Sequence, residues 1–167
     1  EGVAVVKIPR TGQTTSYATG DDGYFKEGVP WPTPRFRDNG DSTVTDNLTG
    51  LMWTKLGGTS AGTWQQVLNY VAGMNGGIYP NFGYTDWRLP NRKELRSLVD
   101  YSNNQVALPS GHPFSSLGSG SNGYYWTSTS FARDGYNAWF VAVGDDGSVT
   151  GNDKNQYHPV WPVRGGI

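Results

Sequence analysis

Two stretches of this sequence carry both a helix start signal and a helical apolar stripe, and they constrain the rest of the chain. Thr63 and Gln66 form a capping box, in which the hydroxyl accepts from the third backbone N–H and the amide returns to the cap N–H. Trp64, Val67, Leu68, Val71 and Met74 then recur at helical spacing until Asn75-Gly76-Gly77 ends the run. Asn91 and Glu94 repeat the device after Asp86-Trp87-Arg88-Leu89-Pro90. There Leu95, Leu98 and Val99 face inward while Arg92, Lys93 and Arg96 face outward. The spacing predicts helices over 63–75 and 91–99.

The remaining apolar runs are short and strand-like. Thr43-Val44-Thr45 follows the turn Asp38-Asn39-Gly40-Asp41, and Leu51 to Thr54 follows the turn Asn47-Leu48-Thr49-Gly50. Tyr124 to Ser128, Ala138 to Val143, Ser148 to Thr150 and Val160 to Val163 make the last third β. Ala138 to Val143 is apolar on both faces and is expected as the central buried strand. Pro162 lacks an N–H donor and belongs at an edge. The expectation is an α+β domain, two helices packed on a small twisted antiparallel sheet made from the C-terminal third.

Residues 1–34 read as an extended N-terminal arm and 35–167 as the folded domain. The arm has a short strand signal at Val3 to Ile8, a turn at Gly20-Asp21-Asp22-Gly23 and prolines at 30, 32 and 34 that forbid helix. Trp31 between those prolines is expected to plug a surface groove, or else to mark an intermolecular contact.

Composition narrows the function classes. Only 16% of the residues are charged, against the usual quarter or so, and Asn, Ser, Thr and Gly carry the surface instead. That balance fits an extracellular or outer-surface protein, and an N-terminal Glu1 fits a mature chain after signal removal. A net charge of −1 without clustered cations gives no surface for nucleic acid. No run of apolar residues is long enough to span a membrane. The absence of cysteine removes thiol nucleophiles, disulfides and thiolate metal sites together.

Catalytic constellations are equally thin. His112 and His158 both precede proline, show no metal-ligand spacing and read as surface or hinge-packed imidazoles. No nucleophile elbow surrounds a serine. The carboxylates Glu27, Glu94, Asp100 and Asp134 sit mostly in caps or loops. The Asp-Gly turns at 21–23, 38–41 and 145–147 read as turn chemistry, with calcium as the alternative. The expectation is a chain with no catalysis, no metal and no cofactor.

A binding surface is better supported. Arg133, Asp134, Gly135, Tyr136 and Asn137 form one polar loop, and 151–157 forms a second. Tyr136 and Tyr157 would supply ring platforms, Asn137, Asn152 and Asn155 directional hydrogen bonds, and Arg133 and Lys154 partners for sulfate or carboxylate. The ligand would be a glycan or a surface protein. The rival site is the basic face of Arg92, Lys93 and Arg96. The rival function is a structural subunit of an extracellular filament or sheath, with the arm contacting a homo-oligomer neighbour.

Several blocks carry a family resemblance. Arg35 to Trp53 (RFRDNGDSTVTDNLTGLMW) and Tyr84 to Leu95 (YTDWRLPNRKEL) resemble the bacterial DUF1566 family, also described as the Lcl C-terminal domain family. Tyr125 to Thr129, Ala138 to Val141 and Val160 to Arg164 match its remaining blocks in order. The resemblance implies a C-type-lectin-like fold on an extracellular domain, in some relatives binding glycosaminoglycans or host surfaces. In diversified relatives the changeable residues lie on the last strands, which here are Tyr136, Asn137, Trp139, Asn152, Lys154, Asn155 and Tyr157. The cysteines of formylglycine-generating relatives and the calcium signatures of classical lectins have no counterpart here.

Overall fold

The computed structural model describes residues 8–103 and 105–165. The strand expected at Val3 to Ile8 lies, apart from Ile8, outside the described residues. Helix α1 (Asp22–Phe25) replaces the turn expected at 20–23, because the Asp21 side chain caps it by accepting from Tyr24 N–H at 2.8 Å. Helix α2 (Trp64–Asn75) keeps both halves of its capping box. Gln66 N–H donates to Thr63 Oγ1 at 3.4 Å, and Thr63 N–H donates to Gln66 Oε1 at 2.9 Å. Helix α3 (Arg92–Ser97) is likewise boxed by Asn91 and Glu94 but stops short of Val99. Leu98 and Val99 remain buried in the turns that follow.

The β structure corrects the single C-terminal sheet. Strands β1 (Phe36–Asp38), β2 (Thr43–Asp46) and β3 (Met52–Thr54) form an antiparallel meander, and β9 (Val163–Arg164) joins it on β3. Strand β4 (Ser60–Gly62) pairs with β8 (His158–Val160), and β5 (Tyr125–Ser130), β6 (Asn137–Val141) and β7 (Val149–Asp153) form a separate meander. The C-terminal segment is therefore shared between two sheets instead of closing one. Pro162 lies between β8 and β9, outside both, with its carbonyl accepting from Thr54 N–H at 3.2 Å. Strand β6 is central as expected, though its Trp139 is only half-buried.

Two apolar cores result. Trp53 and Trp161 meet edge to face at 5.8 Å beneath α3, with Leu95, Leu98 and Val141 around them. The second core packs Val67, Val71 and Met74 of α2 on Trp126, Phe140 and Val160. The buried indoles of Trp126 and Trp161 donate to the Gly62 and Thr54 carbonyls, so these large rings are buried without stranding those donors.

The segment before α3 ties these layers together. Trp87 is buried, and its backbone is clamped by the Asn75 amide at 2.8 and 2.7 Å. Arg88 pairs its backbone with Val163 of β9 and grips Glu94 with two bonds of 2.6 and 2.7 Å. The Pro90 carbonyl accepts from Ser128 N–H, fixing the start of α3 on β5.

The arm, from residue 8 onward, lies along its own domain. Tyr101 N–H donates to the Thr11 carbonyl at 3.1 Å, and the Ser102 hydroxyl donates to the Gly12 carbonyl. Gly12 has φ +92°, and a Cβ there would collide with Asp100 and Trp31. Trp31 covers the buried Arg35 guanidinium at 4.2 Å, and its indole donates to the Arg10 carbonyl. Among the described residues no helix is long and apolar enough to cross a membrane.

Candidate recognition surface

The face of β6 that is buried at Val141 emerges into the open toward Trp139 and Asn137. Trp139 pairs in register with Gly151 of β7. A side chain at Gly151 would place its Cβ 2.8 Å from the Phe131 ring, so Phe131 lies across a strand that must be bare there. Phe131 packs on Trp139 at 4.6 Å between centroids. The Arg92 guanidinium sits 4.5 Å from the same indole, close enough for cation–π attraction. Arg92 N–H is held by Thr129 Oγ1 at 3.1 Å, which anchors α3 against β5.

Two hollows flank this aromatic and cationic shelf. One, of about 540 Å³, is bordered by Asn137, Thr150, Asn152 and Asp153. The other, of about 250 Å³, is bordered by Asn91, Arg92, Lys93 and Thr129. The two surfaces that compete in the sequence, the C-terminal strands and the basic helix, thus adjoin through the Arg92–Trp139 contact. Arg92 is the cation that turns inward to the sheet, while Lys93 and Arg96 are exposed.

The expected site residues fall into three groups. Tyr136 stands 78% exposed at the tip between β5 and β6, and Arg133 is exposed on the same tip. Asp134, Asn137, Asn152 and Lys154 are taken up by structure. Asp134 accepts from Tyr136 N–H and from the Asn137 backbone and amide, and these bonds hold its carboxyl below the usual range although burial opposes them. Lys154 donates its ammonium to Ser130 Oγ and the Gly135 carbonyl, and lies 4.2 Å from the Trp64 ring. Through these bonds, and Lys154 N–H to the Tyr136 carbonyl at 3.0 Å, the two loops do meet. Asn155 is exposed beside the Asp153 turn, whose carboxylate accepts its N–H. Tyr157, 67% exposed, lines a different groove along α2.

The 151–157 segment is not all loop, since Gly151, Asn152 and Asp153 are strand. Its polar composition reflects an edge position with one open face. In the sequence, Phe131 and Thr150 carry no site signal beyond the glycine at 151, which the register sets opposite an aromatic.

His158 is also a correction, because it is a core residue of β8, 5% exposed. It is enclosed by Trp126 at 4.7 Å and Phe140 at 5.0 Å, and its Nε2 lies 2.9 Å from Asn152 Nδ2. Burial pulls its pKa below the ordinary histidine value, partly offset by the Ser121 backbone.

The aspartates of the turns serve their own backbones. Asp38 accepts from Gly40 N–H, Asp41 from Thr43 N–H and Asp146 from Ser148 N–H. Among the described residues no three His, Asp or Glu side chains gather in a metal-binding group.

A family model described as the Lcl C-terminal domain matches residues 42–164. Among the curated proteins searched, none matches the chain.

Proposed function

The chain belongs to the Lcl C-terminal domain family, and from that premise we propose that it is a non-catalytic recognition module with a C-type-lectin-like architecture, acting outside a bacterial cell. It binds a glycan or a surface protein on the open face of β5–β6–β7. The observation that carries this reading is the Phe131–Trp139–Arg92 shelf. A strand Trp left half-exposed between two hollows, with an Arg on its ring, combines two residue types enriched in binding hot spots. Tyr136 extends the surface, and Arg133 and Lys93 supply exposed cations at its rim.

The reading without catalysis rests on how the candidate groups are used. The chain has no cysteine, His158 is enclosed in a ring cluster, and Glu94 is shared between a cap and Arg88. The test is a glycan array together with a pull-down from surface extracts, run with the wild type and Trp139→Ala. Capture of a ligand that Trp139→Ala loses by about tenfold or more supports the site. Capture unaffected by that substitution removes it.

A role in an assembly rests on a separate feature. Tyr17, Tyr24 and Phe25 are exposed on the arm, Tyr24 and Phe25 meeting edge to face at 5.1 Å. Sedimentation of native material that shows polymers dispersed by Tyr17→Ser and Phe25→Ser would favour this second reading.

A further inference from the structure

The groove lined by Tyr157 is separate from the Trp139 shelf, and its chemistry differs. It runs between β4 and the outer side of α2 with a volume of about 480 Å³, inside the roughly 300–1,000 Å³ range of small-molecule sites. One wall is a pair of stacked rings, Tyr70 of α2 and Tyr79, 4.5 Å apart and inclined by 26°. This wall is built deliberately by the backbone. Ile78 and Tyr79 N–H groups both donate to the Gly73 carbonyl, folding the chain back onto the helix it has just left. Gly73 must be bare for this, since a Cβ there would lie 2.8 Å from the Tyr79 ring. Stacking leaves Tyr79 42% exposed.

The polar groups are uncharged. Gln66 spends its Oε1 on the Thr63 cap, which leaves its Nε2 to donate. Asn69 accepts from Gln65 through Oδ1, which likewise leaves its amide N–H groups. Ser60 adds a hydroxyl, and no residue lining the groove bears a formal charge. Ring faces suit the C–H face of a pyranose, and amide donors with hydroxyls suit its hydroxyl groups. An ionised ligand would lose hydration here without meeting an opposite charge.

We propose that this α2 groove is a second binding site, specific for neutral saccharides, with Tyr79 and Tyr157 as its ring contacts and Gln66 and Asn69 as its donors. It shares no lining residue with the Trp139 surface and does not depend on that surface's function.

Saturation-transfer NMR and calorimetry on the whole chain test it with three probes, the trisaccharides cellotriose, maltotriose and chitotriose. At least one is expected to bind, at the millimolar level usual for few contacts. Tyr157→Ala, at an exposed position, and Tyr79→Ala should each weaken it by about fivefold or more, while Trp139→Ala leaves it unchanged. An oligomer of uronic acid residues should bind more weakly than the neutral probes. Failure of all three probes overturns the proposal. So does binding that survives both tyrosine substitutions, or binding lost only in Trp139→Ala, which would instead support the sheet surface. A melt matching the wild type in Tyr157→Ala guards against loss of fold.

Discussion

Glu94 has three bonds to lose. Its carboxylate accepts from Asn91 N–H at 2.8 Å and from two nitrogens of Arg88. Glu94→Gln keeps the cap and loses the ion pair, so it should cost less than Glu94→Ala in urea unfolding. Asn91→Ala should cost about 1 kcal/mol through the lost N-cap. The capping role was legible in the sequence, because the box is a matter of spacing. The Arg88 grip was not, because it depends on β9 holding Arg88 in place from the far end of the chain. Gly151 makes the complementary point for the recognition surface. Gly151→Val should push Phe131 off the sheet and weaken ligand binding by about tenfold, with little loss of stability because Phe131 is half-exposed. Equal affinity in that variant would show that the stack is not part of the site.

At the level of elements, β7 and β8 are coupled by one polar contact. Asn152 borders the larger hollow, and its side-chain amide lies 2.9 Å from Nε2 of buried His158. Protonating His158 would place a charge inside an aromatic enclosure. The folded-state pKa is lowered by burial, so the unfolded chain binds more protons between the lowered value and about 6.5. Stability should therefore be full above that unfolded value and fall as pH drops below it. His112, also lowered by burial, adds to the same trend. Urea melts between neutral and mildly acidic pH test the sign, and His158→Gln should flatten the slope. Helices α2 and α3 and most strands are legible, since periodicity and caps are local, whereas α1 lies where the sequence signals a turn. Strand β4 was not, because Ser60-Ala61-Gly62 has no apolar alternation and exists only by pairing with β8. Strand β7 is legible only in part for a related reason, its open face being polar.

Across the whole molecule the most recognisable sequence blocks turn out to be architecture. Arg35 and Asp46 are buried together, Trp87 is clamped by Asn75, and Val160 to Arg164 stitches two sheets. Trp161→Ala, at the junction of rings from Trp53, Phe114 and Tyr125, should cost about 3–5 kcal/mol. Among the candidate ligand groups, Arg92 and Trp139 sit inside such blocks, whereas Phe131 and Tyr136 lie between them. The adjacency of Arg92 and Trp139 joins two segments far apart in sequence, which is why the sequence alone presents them as rivals. A chain beginning at Arg35 should melt lower than the full chain, because Trp31 no longer covers the buried guanidinium, yet should keep its ligand.

The central claim is that recognition happens on the open face of β5–β6–β7, and amide mapping of the ligand complex tests it most directly. With the captured ligand titrated into the isotopically labelled chain, shifts should concentrate at 91–93, 129–139 and 149–154. The Trp139 indole N–H should be among the largest. Shifts confined to the arm, or to the far side of the meander formed by β1, β2 and β3, would contradict the account.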